Sequence, residues 1–450
     1  MTMNVPLTVL VLVGVASPML LFVSLGIASL LDRPLSERWT GPLAASAMTI
    51  ACAALLLALA AYGTGNTAYP LSYGAWSASH EGGIAIEFLV DRLSLAFAAL
   101  SAAIAGVVAA FSNRYLHRER GYNRYFVLLA MFVSGILLVA LAGNVAVLFV
   151  GWELVGLSSA LLVAFFHERP AAVANAFRVV SVYRIGDAAM LSAAVLLRHV
   201  AGTDSVALLF GGSASAAGVT VGNATIIATL LIIAVACKSA LLPFSSWLPR
   251  AMEGPTPSSA VYYGSLSIHA GCFLLLRAAP LLEQAPAARL LVGVLGAATA
   301  LFAAVTTLVQ SDVKSSLAYA SLTQVGLIVL EIAIGWYTIA FVHLAGHACF
   351  RLLQFLSAPN VLHDLHGLEE TIGRHANHPD GVAMLPSDRV RQRLFLAALE
   401  RGFLDSALDR WVVEPFMRLT RLLTRVDEWL CEAVLPVNRA AAIDAEDRDE

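Results

Sequence analysis

Lys238 stands inside the apolar run from Ile226 to Pro243, and it is one of only two lysines; the other 26 of the 28 Lys and Arg residues are arginines. A buried ammonium gives up and regains a proton far more readily than a guanidinium does. An ionisable group at membrane depth is expensive to place and is by default a candidate for moving charge. Glu153, in Phe149-Val-Gly-Trp-Glu-Leu-Val-Gly156, is the only acid of its apolar run and is the natural counter-charge for Lys238. Arg184 and Asp187 lie three residues apart on one helical face, either as a self-neutralising structural pair or as part of the same path. His269 has two readings as well, a hydrogen-bonded core residue or a relay. His343, His347 and Arg351 recur at i, i+4 and i+8, which lines them along one helix face with about 6 Å of rise between neighbours. Imidazoles placed so relay protons, because the ring both accepts and donates and titrates near neutrality. A metal would want Cys, Asp or Glu ligands close by in sequence, and none stands there, so no metal is expected.

The elements that must carry these residues are membrane spans. Hydrophobic residues make up 59% of the chain and charged residues only 13%, with a mean hydropathy of +0.77. Apolar runs long enough to cross a bilayer predict an all-α, polytopic integral membrane protein of about eleven helices. They are expected near residues 5–31, 41–62, 93–112, 124–143, 144–166, 179–200, 224–247, 257–279, 287–310, 315–335 and 336–358. The fifth follows the fourth with almost no loop. Pro243 and Pro249 bracket Phe244-Ser-Ser-Trp-Leu248 and predict a broken helix beside Lys238. Glu331, Asp312 and Lys314 read as boundary residues at span ends.

Arginines collect in alternate loops, at Arg33 and Arg38, Arg114 to Arg124, Arg169 and Arg178, and Arg250, whereas loop 63–90 has no Lys or Arg. The positive-inside rule then predicts an outer N-terminus and a cytoplasmic tail, as expected in a bacterial inner membrane. The five cysteines form no CxxC pair and read as small packing residues. There is no phosphate loop, no flavin or iron–sulfur signature and no Ser/His/Asp arrangement, so no cofactor is expected and the chain reads as a transporter subunit, not an enzyme.

The organisation predicted is a membrane domain over 1–358, a polar linker over 359–393 and an amphipathic C-terminal segment over 394–450, cytoplasmic or interfacial. The linker's His363, His366, His375 and His378 match no standard ligand spacing and read as a solvated loop.

Taken in order, Phe149-Val-Gly-Trp-Glu-Leu-Val-Gly-Leu157, Arg184-Ile-Gly-Asp187, Lys238-Ser-Ala-Leu-Leu-Pro-Phe-Ser-Ser-Trp-Leu-Pro249, Met252-Glu-Gly-Pro-Thr-Pro257, Asp312-Val-Lys-Ser-Ser-Leu-Ala-Tyr319 and His343-Leu-Ala-Gly-His347 with Arg351 carry a resemblance. The chain resembles, from about residue 85 to 358, the antiporter-like membrane subunits of respiratory complex I and of multisubunit Na⁺/H⁺ antiporters. The resemblance implies a proton-path pair at Glu153 and Lys238 and relay histidines at His343 and His347. Departures are Arg351 where the family usually has a lysine, and Tyr263 where it has a histidine, with His269 further on. The second broken helix of the family is missing, and the chain passes from the His343 span to Arg401-Gly-Phe-Leu-Asp-Ser-Ala-Leu-Asp-Arg-Trp-Val-Val-Glu-Pro-Phe416, which looks like the family's post-membrane motif. These departures, with Tyr262-Tyr-Gly-Ser-Leu-Ser-Ile-His-Ala-Gly271 and Thr323-Gln-Val-Gly-Leu-Ile-Val-Leu-Glu-Ile332, are similar to a shorter branch, the DabB membrane subunits of inorganic-carbon accumulation complexes. That branch implies a DabA-like partner, a cytoplasmic zinc protein related to β-carbonic anhydrases. Proton or cation flux would then drive CO₂ hydration to bicarbonate. A proton-pumping subunit L-like component of an NADH-quinone oxidoreductase, hydrogenase or antiporter complex is the competing expectation.

Overall fold

The structure, a computed structural model, describes residues 4–63, 69–75, 85–207, 220–310, 312–372 and 388–434. Two compact units divide the chain, Met1–Asp405 and Ser406–Glu450. Eleven helices among the described residues are long and apolar enough to cross a membrane. They are α1 (Asn4–Leu30), α2 (Glu37–Tyr62), α3 (Arg92–Tyr115), α4 (Tyr122–Leu141), α5 (Val145–Val163), α6 (Pro170–Ala201), α7 (Val221–Lys238), α8 (Thr256–Arg277), α9 (Pro286–Thr307), α10 (Val313–Ile334) and α11 (Tyr337–Ile372). The expected polytopic all-α architecture is present. The sixth helix starts at Pro170, a residue pre-set for a first helical turn, and so is longer than its apolar stretch predicts.

Loop 63–90, expected only as a connection without Lys or Arg, contains a short hairpin. Strand β1 (Tyr69–Ala75) pairs antiparallel with β2 (Ala85–Val90), Leu71 opposite Phe88. The near-loopless join of α4 to α5 is stitched to it: Gly143 N–H donates to Glu87 O at 2.8 Å, and Asn144 Nδ2 donates to Ala85 O at 2.7 Å. Asn144 also caps α5 by accepting from Val147 N–H. Strict alternation of the spans puts the hairpin, this join and the turns α8–α9 and α10–α11 on one side, the hairpin face.

Burial grades the spans from centre to rim. The apolar window of α8 is entirely buried and that of α4 is 89% buried, whereas those of α1 and α9 are only a third buried. Two helix pairs approach at glycine. A Cβ on Gly151 would stand 2.7 Å from Gly135 O, and one on Gly326 would stand 2.7 Å from Gly296 O, so α4 with α5 and α9 with α10 meet backbone to backbone.

Helix α11 runs on through Ile372, so the polar stretch that starts at Asn360 begins as helix. Of the four linker histidines, His375 and His378 lie outside the described residues, as does the acidic end from Ala445 to Glu450. Helix α12 (Asp388–Leu399) packs on α9 within the first unit. In the second unit, α13 (Glu414–Val434) runs through Pro415 in its first turn and places Phe416, Leu419, Leu423, Val426 and Leu430 at helical spacing between arginines and acids.

Candidate functional site

Three polar islands lie inside this apolar body. The first surrounds Lys238, the last residue of α7. Its ammonium is 1% exposed, donates to Trp152 O at 3.1 Å, and lies 4.3 Å from the Tyr183 ring centre and 4.8 Å from that of Trp152. The two rings offer their negative faces to the cation. Gly156 completes the box: a Cβ there would stand 2.8 Å from Lys238 Nζ.

Glu153 does not pair directly with Lys238, contrary to expectation. Arg184 Nη2 takes both carboxylates, 2.7 Å from Glu153 Oε2 and 2.7 Å from Asp187 Oδ2. The reason is reach. The long planar guanidinium on α6 spans the gap to α5, while the lysine stem turns inward to the Trp152 carbonyl. Both carboxylates of this cluster are thus held by Arg184 and not by Lys238.

The break follows at once. Ala240 takes a left-handed φ of +55°, and Leu241 N–H reaches back to Ala236 O at 3.0 Å, closing α7 with a Schellman-type cap. Trp247 Nε1 donates to Cys237 O at 3.0 Å, replacing a bond the ending helix cannot make. One helical turn resumes at Trp247–Arg250. Pro243 and Pro249 therefore bracket an opened segment, and the span expected over 224–247 is helical only to Lys238. Ser245 and Ser246 are fully buried there, with hydroxyls that find no protein partner, as are Tyr183 Oη and Ser267 Oγ nearby.

The second island is a histidine chain in α8 and α11. A π-helical stretch, Ala260–Ser265, sits in α8 just before His269 and leaves Ser265 O free to receive a side chain. His269 Nδ1 lies 2.6 Å from that oxygen, so it carries the proton; His269 Nε2 is then the acceptor, and His347 Nδ1 donates to it at 2.9 Å. Arg351 Nε donates to His347 Nε2 at 3.1 Å, and its Nη1 donates to Gln354 Oε1 at 2.6 Å. Every ring nitrogen is used, and both rings are neutral in this arrangement. His269 is thus a member of the polar chain; Tyr263 instead donates to Ser159 O at 3.2 Å.

The third island corrects the expected stack of His343 on His347. Four residues apart, their ring centres are 6.4 Å away from each other, and neither ring bonds the other. His343 turns to α10, with Nδ1 2.9 Å from Glu331 Oε1 and Nε2 3.0 Å from Gln324 Oε1. Glu331, expected as a boundary residue, lies in the last turn of α10 and bonds His343, and one of its oxygens, Oε2, is buried without a protein partner. Glu331 is the only acid within the length of α10, the same signal that singles out Glu153.

Buried lysine, broken helix and imidazole chain together define a class of protein, polytopic membrane proteins with ionisable groups in the core. The family described as NADH:quinone oxidoreductase/Mrp antiporter, TM, matches residues 142–375, just over half of the chain, and the chain belongs to it. The region described as NADH-Ubiquinone oxidoreductase (complex I), chain 5 N-terminus, matches residues 76–126. NADH-quinone oxidoreductase subunit L of Mycobacterium tuberculosis (strain CDC 1551 / Oshkosh) is 35% identical over 289 residues, covering 63% of this chain and 45% of that protein. The subunit L of Campylobacter jejuni is 37% identical over 302 residues, covering 67% and 49%. A structure of the Mrp complex from Dietzia sp. DQ12-45-1b aligns with a TM-score of 0.66 and 28% identity, over 87% of this chain and 40% of that one. The chain spans less than half the length of these relatives.

Proposed function

We propose that this chain is a proton-conducting membrane subunit of an energy-coupled multisubunit complex, a transporter component comparable to subunit L or to an Mrp antiporter subunit. The observation that carries the reading is the buried Lys238 at the broken end of α7, between the Glu153–Arg184–Asp187 cluster and the His269–His347–Arg351 chain. A permanent ion pair would neutralise the lysine and hold it; the carbonyl and ring faces hold it while leaving it free to trade its proton with Asp187 or Glu153. The unpartnered hydroxyls of Tyr183, Ser245, Ser246 and Ser267 supply polar lining from Lys238 toward His269, where bound water can bridge donors and acceptors. The path proposed therefore uses Glu153, Asp187, Arg184, Lys238, His269, His347, Arg351 and His343. The membrane domain, linker and amphipathic tail are proposed at 1–358, 359–393 and 394–450, the linker opening as a continuation of α11 to Ile372, with the tail on the cytoplasmic side of a bacterial inner membrane.

A second reading, proton or cation flux coupled to inorganic-carbon uptake through a DabA-like zinc partner, rests on the resemblance carried by Tyr262–Gly271 and Thr323–Ile332. Native mass spectrometry of the purified complex separates the two readings: a large zinc protein supports carbon uptake, and iron–sulfur or antiporter subunits support the first. Lys238→Ala, in complexes assembled at wild-type levels, is expected to abolish gradient-driven proton flux in proteoliposomes. Full flux in that variant removes the conduction reading.

A further inference from the structure

We propose that Glu331 is a proton port, joining His343 to the aqueous side at the hairpin face; the proposal rests on the conduction reading above. His343 is placed between two oxygens, Glu331 Oε1 at 2.9 Å and Gln324 Oε1 at 3.0 Å. A ring that donates from both nitrogens is an imidazolium, and Glu331 balances its charge. Turning the Gln324 amide over brings its NH₂ to Nε2 and satisfies the neutral ring equally well. Both protonation states of His343 thus find a complete set of hydrogen bonds, the Nδ1–H tautomer of the neutral ring with the amide turned and the Nε2–H tautomer with it as it stands.

Glu331 is built as the next acceptor. Its Oε1 takes the Nδ1 contact, while Oε2 is buried and has no protein partner. In an apolar stretch such as Leu327-Ile-Val-Leu-Glu-Ile-Ala-Ile334, a carboxylate with an unused oxygen is costly unless it does something. Its position gives it an outlet. Glu331 lies in the last turn of α10, about 5 Å of rise before the helix ends at Ile334. Its carbonyl receives the N–H groups of Gly335 and Trp336, at 3.1 and 2.9 Å, so the turn at the hairpin face is folded over it. The polar groups around this mouth are Arg289, which donates to Ala333 O and Ile334 O, and Tyr337, which donates to Glu283. Exposure changes along the histidines: His269 and His347 are buried, whereas His343 and Glu331 are half-buried.

The Nδ1–H bond of the His343 imidazolium breaks and an Oε–H bond forms on Glu331, converting a charged pair into a neutral one. The carboxylic proton then passes to water at the hairpin face and restores the carboxylate. Uptake is the reverse.

The test compares Glu331→Gln, Glu331→Asp and Lys238→Ala in the full chain with its co-purified partners, reconstituted in vesicles with an internal pH dye. Glu331→Gln is expected to lower proton flux by about tenfold or more, and Glu331→Asp to keep a measurable part of it. If Glu331→Gln conducts like wild type while Lys238→Ala is inactive, the port is wrong and the path stands. If Lys238→Ala conducts like wild type, the conduction reading fails and the port falls with it. Glu331→Cys in a chain whose five cysteines are replaced by Ser or Ala adds a readout free of flux. An impermeant maleimide should label it from the hairpin side, and protection from that side overturns the proposal even where Glu331→Gln proves unstable.

Discussion

At the residue scale, chemistry in this chain is decided by what each titratable group has as a neighbour. Gly156 shows how tight the choice is. Replacing it with alanine puts a Cβ 2.8 Å from Lys238 Nζ, inside contact distance, so the ammonium must leave the Trp152 carbonyl and its place between the rings. Gly156→Ala is expected to suppress proton flux nearly as far as Lys238→Ala does. Its overpacking cost is only about 1–3 kcal/mol, read as a shifted thermal midpoint in detergent. Unchanged flux in a stable Gly156→Ala protein would show that the ammonium works from another position. The residues themselves were legible as lone charges in apolar runs: Lys238, Glu153, His269 and His347 all proved to lie in or beside the polar interior. Their partners were not. Helical spacing says which side chains share a face, yet Arg184 bridging to Glu153 and His343 turning to Glu331 are contacts between helices, set by packing distances that no linear pattern encodes.

At the scale of elements, helix ends rather than helix middles do the positioning. Lys238 is a helix terminus, His269 follows a π-helical turn, Glu331 lies in a last turn, and Asp91 caps α3. Asp91 accepts from Ser94 N–H at 2.7 Å and ties the start of α3 to the end of α8 through Arg277, whose Nη2 lies 3.0 Å from Asp91 Oδ1. Burial pushes the Asp91 carboxyl up, but Arg277 and Ser94 together win and hold it below the usual carboxylate range. A carboxyl lowered in the folded state stabilises above its unfolded value near 3.9, and that contribution is lost as pH falls through the folded value. Asp91→Ala is therefore expected to cost about 3 kcal/mol near neutrality, since it strands a partly buried guanidinium. The gap to wild type should narrow on acidification below about pH 4. A gap that widens in acid would contradict this. Span number and order were legible because twenty apolar residues can do little else than cross a bilayer. The hairpin was hidden, its strands short and paired with each other and the α4–α5 join. So was the continuation of α11 into polar sequence.

For the molecule as a whole, the first unit is tied together at both faces by charge. Asp91 with Arg277 closes the hairpin face, and Arg250 with Asp405 and Arg401 closes the opposite one, next to the break. Arg250→Glu alone, leaving Asp405 facing a like charge, is expected to loosen the segment at Arg401–Asp405, seen as faster proteolysis there. The double reversal Arg250→Glu with Asp405→Arg should recover most of the protection, and failure to recover would mean that the ion pair does not hold the segment. Between these two faces lie the polar islands of the proposed path, and Arg351 gives the histidine island a property that its rings alone would not have. A guanidinium never surrenders its proton at ordinary pH, so its bond to His347 Nε2 blocks that nitrogen for as long as it lasts. On the proposed path the resting chain is thus an insulator, not an open wire: a proton could pass His347 only after its ring or the Arg351 guanidinium swings away, which would tie its passage to a mechanical event.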